Sequence, residues 1–142
     1  MIRTAKVTDL DTIYEMGRAL HDNYKQTYDL ESLLTKDYFH LLVYEKDNQV
    51  IGFLAYSLLI DSVDILDIYV DKEYRQQKIA SLLIDYMISM VDPKTSFLLE
   101  VAVDNLPAIS LYEKFGFKVI HIRKKYYGQK DAYVMEREAL NE

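Results

Sequence analysis

The stretch from Val63 to Val103 constrains the fold more than any other part of the chain. Val63 to Val70 alternates Ile65, Asp67 and Tyr69 against Leu66, Ile68 and Val70, the period of a strand with both faces largely covered. From Ile79 to Val91 the apolar residues Ile79, Leu82, Leu83, Tyr86, Met87, Met90 and Val91 keep an i, i+3, i+4 spacing. This is the clearest helix in the chain, and Asp92-Pro93 ends it. Ser96 to Val103 is again a strand. A strand, a helix and a strand in this order make a parallel pair joined by a right-handed crossover.

Around this unit the pattern predicts mostly antiparallel strands. Ile2 to Lys6 reads as a short strand, and Thr8-x-x-Asp11 resembles a capping box that opens a helix through about Asp22. Tyr24 to Leu34 has a weaker pattern and is expected to form an irregular second helix. Phe39 to Tyr44, a turn at Asp47-Asn48, and Val50 to Ile60 with Gly52 inside it read as a hairpin. Asn105 caps a helix through Phe115, and Gly116 suits its terminating residue. Strands at about Phe117 to Lys125 and Ala132 to Arg137 complete an α/β (α+β) arrangement of about seven strands and four helices.

A chain of 142 residues fits one domain spanning 1–142. Half of its residues are apolar, enough for a substantial core, and the formal net charge of −6 disfavours attraction to nucleic acid or an anionic membrane. It has no cysteine, which removes disulfides, thiolate metal sites and a cysteine nucleophile together. The amino terminus lacks a secretory signal, and the apolar run Ile51 to Ile60 is too short to span a bilayer, so a cytoplasmic location is expected. His21, His40 and His121 have no metal-ligand spacing, and no metal is predicted.

Three features carry chemistry. The loop Asp71 to Lys78 leads from a strand into the strongest helix, so its backbone N–H groups and the helix dipole suit phosphate oxygens; an ordinary strand-to-helix connection has the same appearance. Glu100 lies in the apolar strand Phe97 to Val103, where a carboxylate is costly unless it meets water, a partner or a cleft. Partial desolvation would raise its pKa toward a value useful to a general base, whereas a wet strand face or a structural pair is the plain alternative. Tyr112 sits in a helical stripe with Ala108, Ile109, Leu111 and Phe115, which equally describes a packing residue.

Two sets of residues together resemble a known family. Arg75, Ile79 and Ala80 fit motif A of the GCN5-related N-acetyltransferases: Gln or Arg, two residues, Gly, any residue, then Gly or Ala. Lys78 stands where the family has glycine, so the loop backbone is more constrained there. Leu99-Glu100-Val101, Asp104-Asn105, Ala108-Ile109, Leu111-Tyr112 and Gly116-Phe117 resemble the ribosomal-protein alanine N-acetyltransferase branch. Tyr126-Tyr127, Asp131-Ala132 and Met135 extend the likeness, whereas Tyr28-Asp29-Leu30-Glu31 stands near where that branch carries Pro-Trp-Ser.

The resemblance implies a mixed, mostly antiparallel twisted sheet around a central β-α-β unit that binds acetyl-CoA as co-substrate. It implies that Ile68, Tyr69 and Val70 pair with the pantetheine arm, and that the loop Arg75, Gln76, Gln77, Lys78, Ile79, Ala80 and Ser81 holds the pyrophosphate, with Asn105 near the coenzyme. Glu100 would be the proton acceptor, Tyr112 the proton donor, and Tyr126 and Tyr127 would surround the first residues of a peptide substrate. An α-ammonium, with a pKa about 2 below that of a lysine side chain, needs roughly 3 kcal/mol less work to become a nucleophile. The expected reaction is direct acetyl transfer, in a ternary complex, to the N-terminal alanine of a small-subunit ribosomal protein. Lysine, a polyamine or another small amine is the alternative acceptor, and a non-catalytic acyl-CoA-binding module is the alternative of a different class.

Overall fold

The computed structural model describes residues 1–20, 22–75, 78–127 and 130–139, with the side chains of 125–127 outside the description. Seven strands form one sheet in the order β1-β2-β3-β4-β5-β7-β6. They are β1 (Ile2–Thr4), β2 (Phe39–Lys46), β3 (Gln49–Leu58), β4 (Ser62–Val70), β5 (Ser96–Ala102), β6 (Lys118–Tyr127) and β7 (Lys130–Arg137). Every neighbouring pair is antiparallel except β4 with β5. The parallel pair is the crossover that the sequence predicts, carried by α4 (Ile79–Ser89).

Helices cover both faces of the sheet and divide the core in two. On one face α4 and α5 (Leu106–Lys114) bury Ile79, Leu83, Ile84, Met87 and Tyr112 against strand residues that include Leu54, Val63, Phe97 and Leu99. On the other, α1 (Leu10–Gly17), α2 (Tyr24–Thr27) and α3 (Leu30–Leu33) bury Leu10, Ile13, Met16, Tyr24 and Leu30 against Leu41, Val43 and Phe53. A sheet covered on both sides explains why β3 reads as an almost continuous apolar run.

The amino-terminal half departs from its expected outline. No box forms at Thr8 and Asp11; a 3-10 turn spans Val7–Asp9, and Asp9 accepts the Lys6 N–H at 2.7 Å while its carboxylate takes both Arg3 Nη atoms at 2.8 and 3.0 Å. Arg3 in turn reaches Glu45 at 2.7 Å, so ion pairing decides how the helix begins. Helix α1 stops at Gly17 instead of near Asp22, and Arg18 to Leu20 continue as turns; the Tyr24 ring packs against Gly17 so closely that a Cβ there would lie 2.3 Å from it. The expected irregular second helix is two single turns, giving five α-helical segments among the described residues instead of four. The Tyr14 hydroxyl breaks it by donating to Tyr28 O at 3.0 Å and accepting from Leu30 N at 2.9 Å, and Asp29 then caps α3 through Ser32 N at 3.3 Å.

Candidate active site

A split in the sheet organises the candidate residues. Strands β4 and β5 pair only over Ser62–Asp64 and Ser96–Leu98, although β4 runs on to Val70 and β5 to Ala102. The divergence starts at a bulge in β4: Ile65 lies opposite Tyr56 and Asp67 opposite Ala55, leaving Leu66 as the extra residue. Bulges bend a strand and increase its twist, and here the bend turns β4 away from β5, which stays paired with β7 from Phe97 to Ala102.

The register shows which backbone groups face the opening. Asp71 N donates to Ile51 O at 2.8 Å, so in the continuing alternation Phe53 and Tyr69 form a hydrogen-bonded pair and Leu54 with Ile68, and Gly52 with Val70, do not. Ile68 and Val70 therefore turn their N–H and C=O groups away from β3 and toward the split. Among the described residues no strand pairs with this edge beyond Asp64, so an amide-bearing chain can extend it. Arg75 already uses part of it, its Nε donating to Val70 O at 3.0 Å while its guanidinium lies 5.3 Å from the Tyr69 ring centre.

The loop after β4 makes a 3-10 turn at Lys72–Tyr74 and enters α4 through Lys78. Lys78 has φ 63° and ψ 20°, in the left-handed region that glycine adopts freely. The backbone shape that the family glycine serves is thus kept by a lysine, at a conformational cost of about 1 kcal/mol. Ile79 is buried and Ala80 and Ser81 are half-buried at the start of the helix; Gln76 and Gln77 lie outside the described residues. Gly52 lets this helix end come close, since a Cβ there would meet Tyr69 O at 3.1 Å and the Ile79 side chain at 3.5 Å. The opening turn of α4, entered through the exposed Lys78, and the edge of β4 present backbone N–H groups suited to phosphates and to an amide-containing arm.

Glu100 and Tyr112 stand on opposite sides of the sheet. Leu99 and Val101 point into the core beneath α4 and α5, so the alternation of β5 turns Glu100 to the face of α1 and α2. Glu100 Oε1 pairs with Arg123 Nε at 3.1 Å, and Oε2 is buried without a hydrogen-bond partner among the described residues. Tyr112 is buried on the α4 and α5 face, with its ring 5.8 Å from that of Phe117. Asn105 caps α5, its Oδ1 accepting from Ala108 N at 3.3 Å, so it holds in place the helix that carries Tyr112. Gly116, at φ 89°, ends the same helix. Tyr126 and Tyr127 belong to β6, but their side chains lie outside the described residues.

The structure adds a group of side chains that the sequence reading passes over. Asp67, just beyond the bulge, hydrogen-bonds Tyr24 and Tyr28 and is half-buried, with its Oδ2 closed to solvent. Burial pushes its carboxyl up to about 6, against the lowering effect of the two hydroxyls. Tyr24 is fully buried, and burial with the neighbouring Asp67 carboxylate drives its hydroxyl far above the ordinary tyrosine range. It therefore remains a donor. The signal was present in β4, where Asp67 interrupts a covered apolar strand just as Glu100 interrupts β5; its tyrosine partners lie some forty residues away. Among the described residues no three potential ligands cluster to hold a metal, and no helix is long and apolar enough to cross a membrane.

Residues 6–117 match the model of the acetyltransferase (GNAT) family. A Bacillus subtilis protein provisionally named [ribosomal protein bS18]-alanine N-acetyltransferase is 32% identical over 139 residues, covering 94% of this chain and 92% of that one. An N-alpha-acetyltransferase of Saccharolobus solfataricus is 33% identical over 156 residues, covering 96% and 91%. The crystal structure of the ribosomal-protein-S18-alanine N-acetyltransferase from Escherichia coli has the same fold, with a TM-score of 0.84 over 100% of this chain and 96% of that one at 24% identity.

Proposed function

The chain belongs to the GCN5-related N-acetyltransferase family and is an acetyl-CoA-dependent N-acetyltransferase; we propose that its acceptor is the α-amine of a protein N terminus, specifically the N-terminal alanine of a small-subunit ribosomal protein. The observation that carries this reading is the split between β4 and β5, with free edge amides on one lip and the Glu100 carboxylate on the other. Similarity to proteins that are named for acetylating N-terminal amines supports the choice of acceptor. A ribosomal acceptor would place the reaction in the cytoplasm.

In this reading acetyl-CoA enters on the face of α4 and α5. Ile68, Tyr69 and Val70 hold its pantetheine arm, and the loop from Arg75 through Gln76, Gln77 and Lys78 to Ile79, Ala80 and Ser81 holds its pyrophosphate, with Asn105 close by. The acceptor enters from the face of α1 and α2, its first residues flanked by Tyr126 and Tyr127. Glu100, directly or through water, takes a proton from the ammonium. The neutral nitrogen attacks the thioester carbonyl, the Val70 N–H faces the developing oxyanion, the C–S bond breaks as Tyr112 protonates the departing thiolate, and the surplus proton on the new amide nitrogen passes through water to restore the Tyr112 hydroxyl. Base and acid serve opposite faces of one sheet, and the split lets them meet at a single carbonyl.

The test is CoA release from acetyl-CoA in the presence of peptides beginning with Ala, Ser or Met, a peptide with a blocked N terminus and an internal lysine, and a polyamine. Turnover confined to free N termini and fastest with alanine is the expected result. Turnover of the lysine peptide or the polyamine alone would replace the acceptor while leaving the enzyme class intact.

A further inference from the structure

The proposed mechanism gives no task to Asp67, yet its position is tied to that of Glu100. Counting onward from Asp64 opposite Leu98, and allowing for the extra residue Leu66, Asp67 comes level with Glu100 across the split. Its bonds to Tyr24 and Tyr28 place its side chain on the face of α1 and α2, to which Glu100 also turns. The two strands that diverge around the reaction centre thus each present one carboxylate to the same side.

Both carboxylates are incompletely satisfied. Three buried side-chain polar atoms among the described residues have no hydrogen-bond partner: His40 Nε2, Asp67 Oδ2 and Glu100 Oε2. Two of the three are therefore carboxylate oxygens, one on each of the strands that part beyond Asp64. A buried acceptor left without a donor is expensive, and two such oxygens call for a cationic group with more than one N–H. A primary ammonium offers three donors and no acceptor. Among the described residues, Arg123 meets Glu100 through the other oxygen and the Arg75 guanidinium folds onto Val70.

We propose that Asp67 is a second acceptor-binding carboxylate, whose Oδ2 shares the incoming primary ammonium with Glu100 Oε2. This rests on the reading of the chain as an N-acetyltransferase whose acceptor arrives on the α1 and α2 face. Tyr24 and Tyr28 are positioning residues: their hydroxyls hold the Asp67 carboxylate, and the Gly17 contact fixes the Tyr24 ring. The arrangement selects for the charged form of a primary amine, because a neutral group of the same shape leaves both oxygens without donors. Glu100 then removes one proton from an ammonium that Asp67 keeps in place.

The experiment compares binding of two ligands to the CoA-bound protein by calorimetry. One is the fastest acceptor from the amine panel, or the alanine peptide if none turns over; the other is its analogue with the amine replaced by hydrogen. The wild-type protein should prefer the ammonium ligand about tenfold or more, and Asp67→Asn should reduce that preference to about twofold while affinity for the analogue changes little. Asp67→Ser provides the same comparison if the asparagine variant does not fold. Equal binding of both ligands by the wild-type protein overturns the proposal, as does a variant that keeps the full preference or weakens both ligands alike. The identity of the acceptor is judged separately by turnover in the panel, so the two readings fail by different results.

Discussion

Asp9 and Asp67 are both carboxylates on the α1 side of the sheet, and the chain treats them in opposite ways. Asp9 receives two Arg3 nitrogens and the Lys6 N–H, and the adjacent guanidinium holds its carboxyl below the usual range. Asp67 has two tyrosine hydroxyls, keeps one oxygen without a partner among the described residues, and is pushed up to about 6 by burial. One is an internally completed joint between β1, β2 and α1. The other is left incomplete beside the opening in the sheet. A fold can complete its own polar groups, so a buried oxygen left without a donor beside a cleft marks a place kept for something else.

The largest effect should come from Glu100→Gln. CoA release with the preferred acceptor should fall at least about a hundredfold with little change in melting temperature. A fall below threefold would make the Glu100 oxygen as structural as those of Asp9. Gly17→Ala tests whether the acceptor face depends on the Tyr24 ring. It should cost about 3 kcal/mol in urea unfolding and raise the acceptor KM, because the added Cβ overlaps a fully buried ring.

The two aspartates should then separate by pH. The stabilisation from Asp9, whose pKa is lowered on folding, is present above the ordinary carboxylate range and lost as pH falls through its folded value. Asp9→Asn should therefore cost about 2 kcal/mol at pH 7, with the deficit shrinking in acid. Asp67 has the opposite sign: its pKa rises from 3.8 to about 6, so its contribution is fullest below the former and is lost as pH rises through the latter. Asp67→Asn should gain about 1–2 kcal/mol at pH 8 and lose that advantage near pH 4, measured by denaturant unfolding at each pH. Equal responses of the two variants would erase the contrast. The smallest effect belongs to Lys78→Gly, which should stabilise the protein by about 1 kcal/mol by relieving the left-handed backbone. Its affinity for acetyl-CoA, read by calorimetry, then separates the value of the lysine charge from that of the loop shape.

Legibility in the sequence follows the range of the interactions involved. The β-α-β unit is visible because alternation in Val63 to Val70 and helical spacing in Ile79 to Val91 are local patterns with a strong period. Glu100 stands out as a charge interrupting an apolar strand, whereas Tyr112 reads from its helical stripe as a packing residue and is singled out only by the family resemblance. The helical segments before β2 are misjudged because distant contacts shape them: Tyr14 with Tyr28 and Leu30, Tyr24 with Gly17, and Arg3 with Asp9 and Glu45. Asp67 interrupts its strand no less plainly than Glu100. It escapes notice because what makes it unusual, its burial under two tyrosines, is not a property of β4.

The periodic framework is set locally: the strands, the crossover, the cap and terminus of α5, and the acetyl-transfer family to which they belong. Even Lys78 could be read there as the departure from that pattern. Only the tertiary structure decided that Lys78 keeps a glycine-like backbone, that β4 and β5 part at Leu66, and that Asp67 and Glu100 come level across the gap. The physical reason is one of distance. Hydrophobic period and capping act over a few neighbouring residues, whereas the opening, its two carboxylates and the tyrosines that hold one of them are set by packing between segments far apart in the chain.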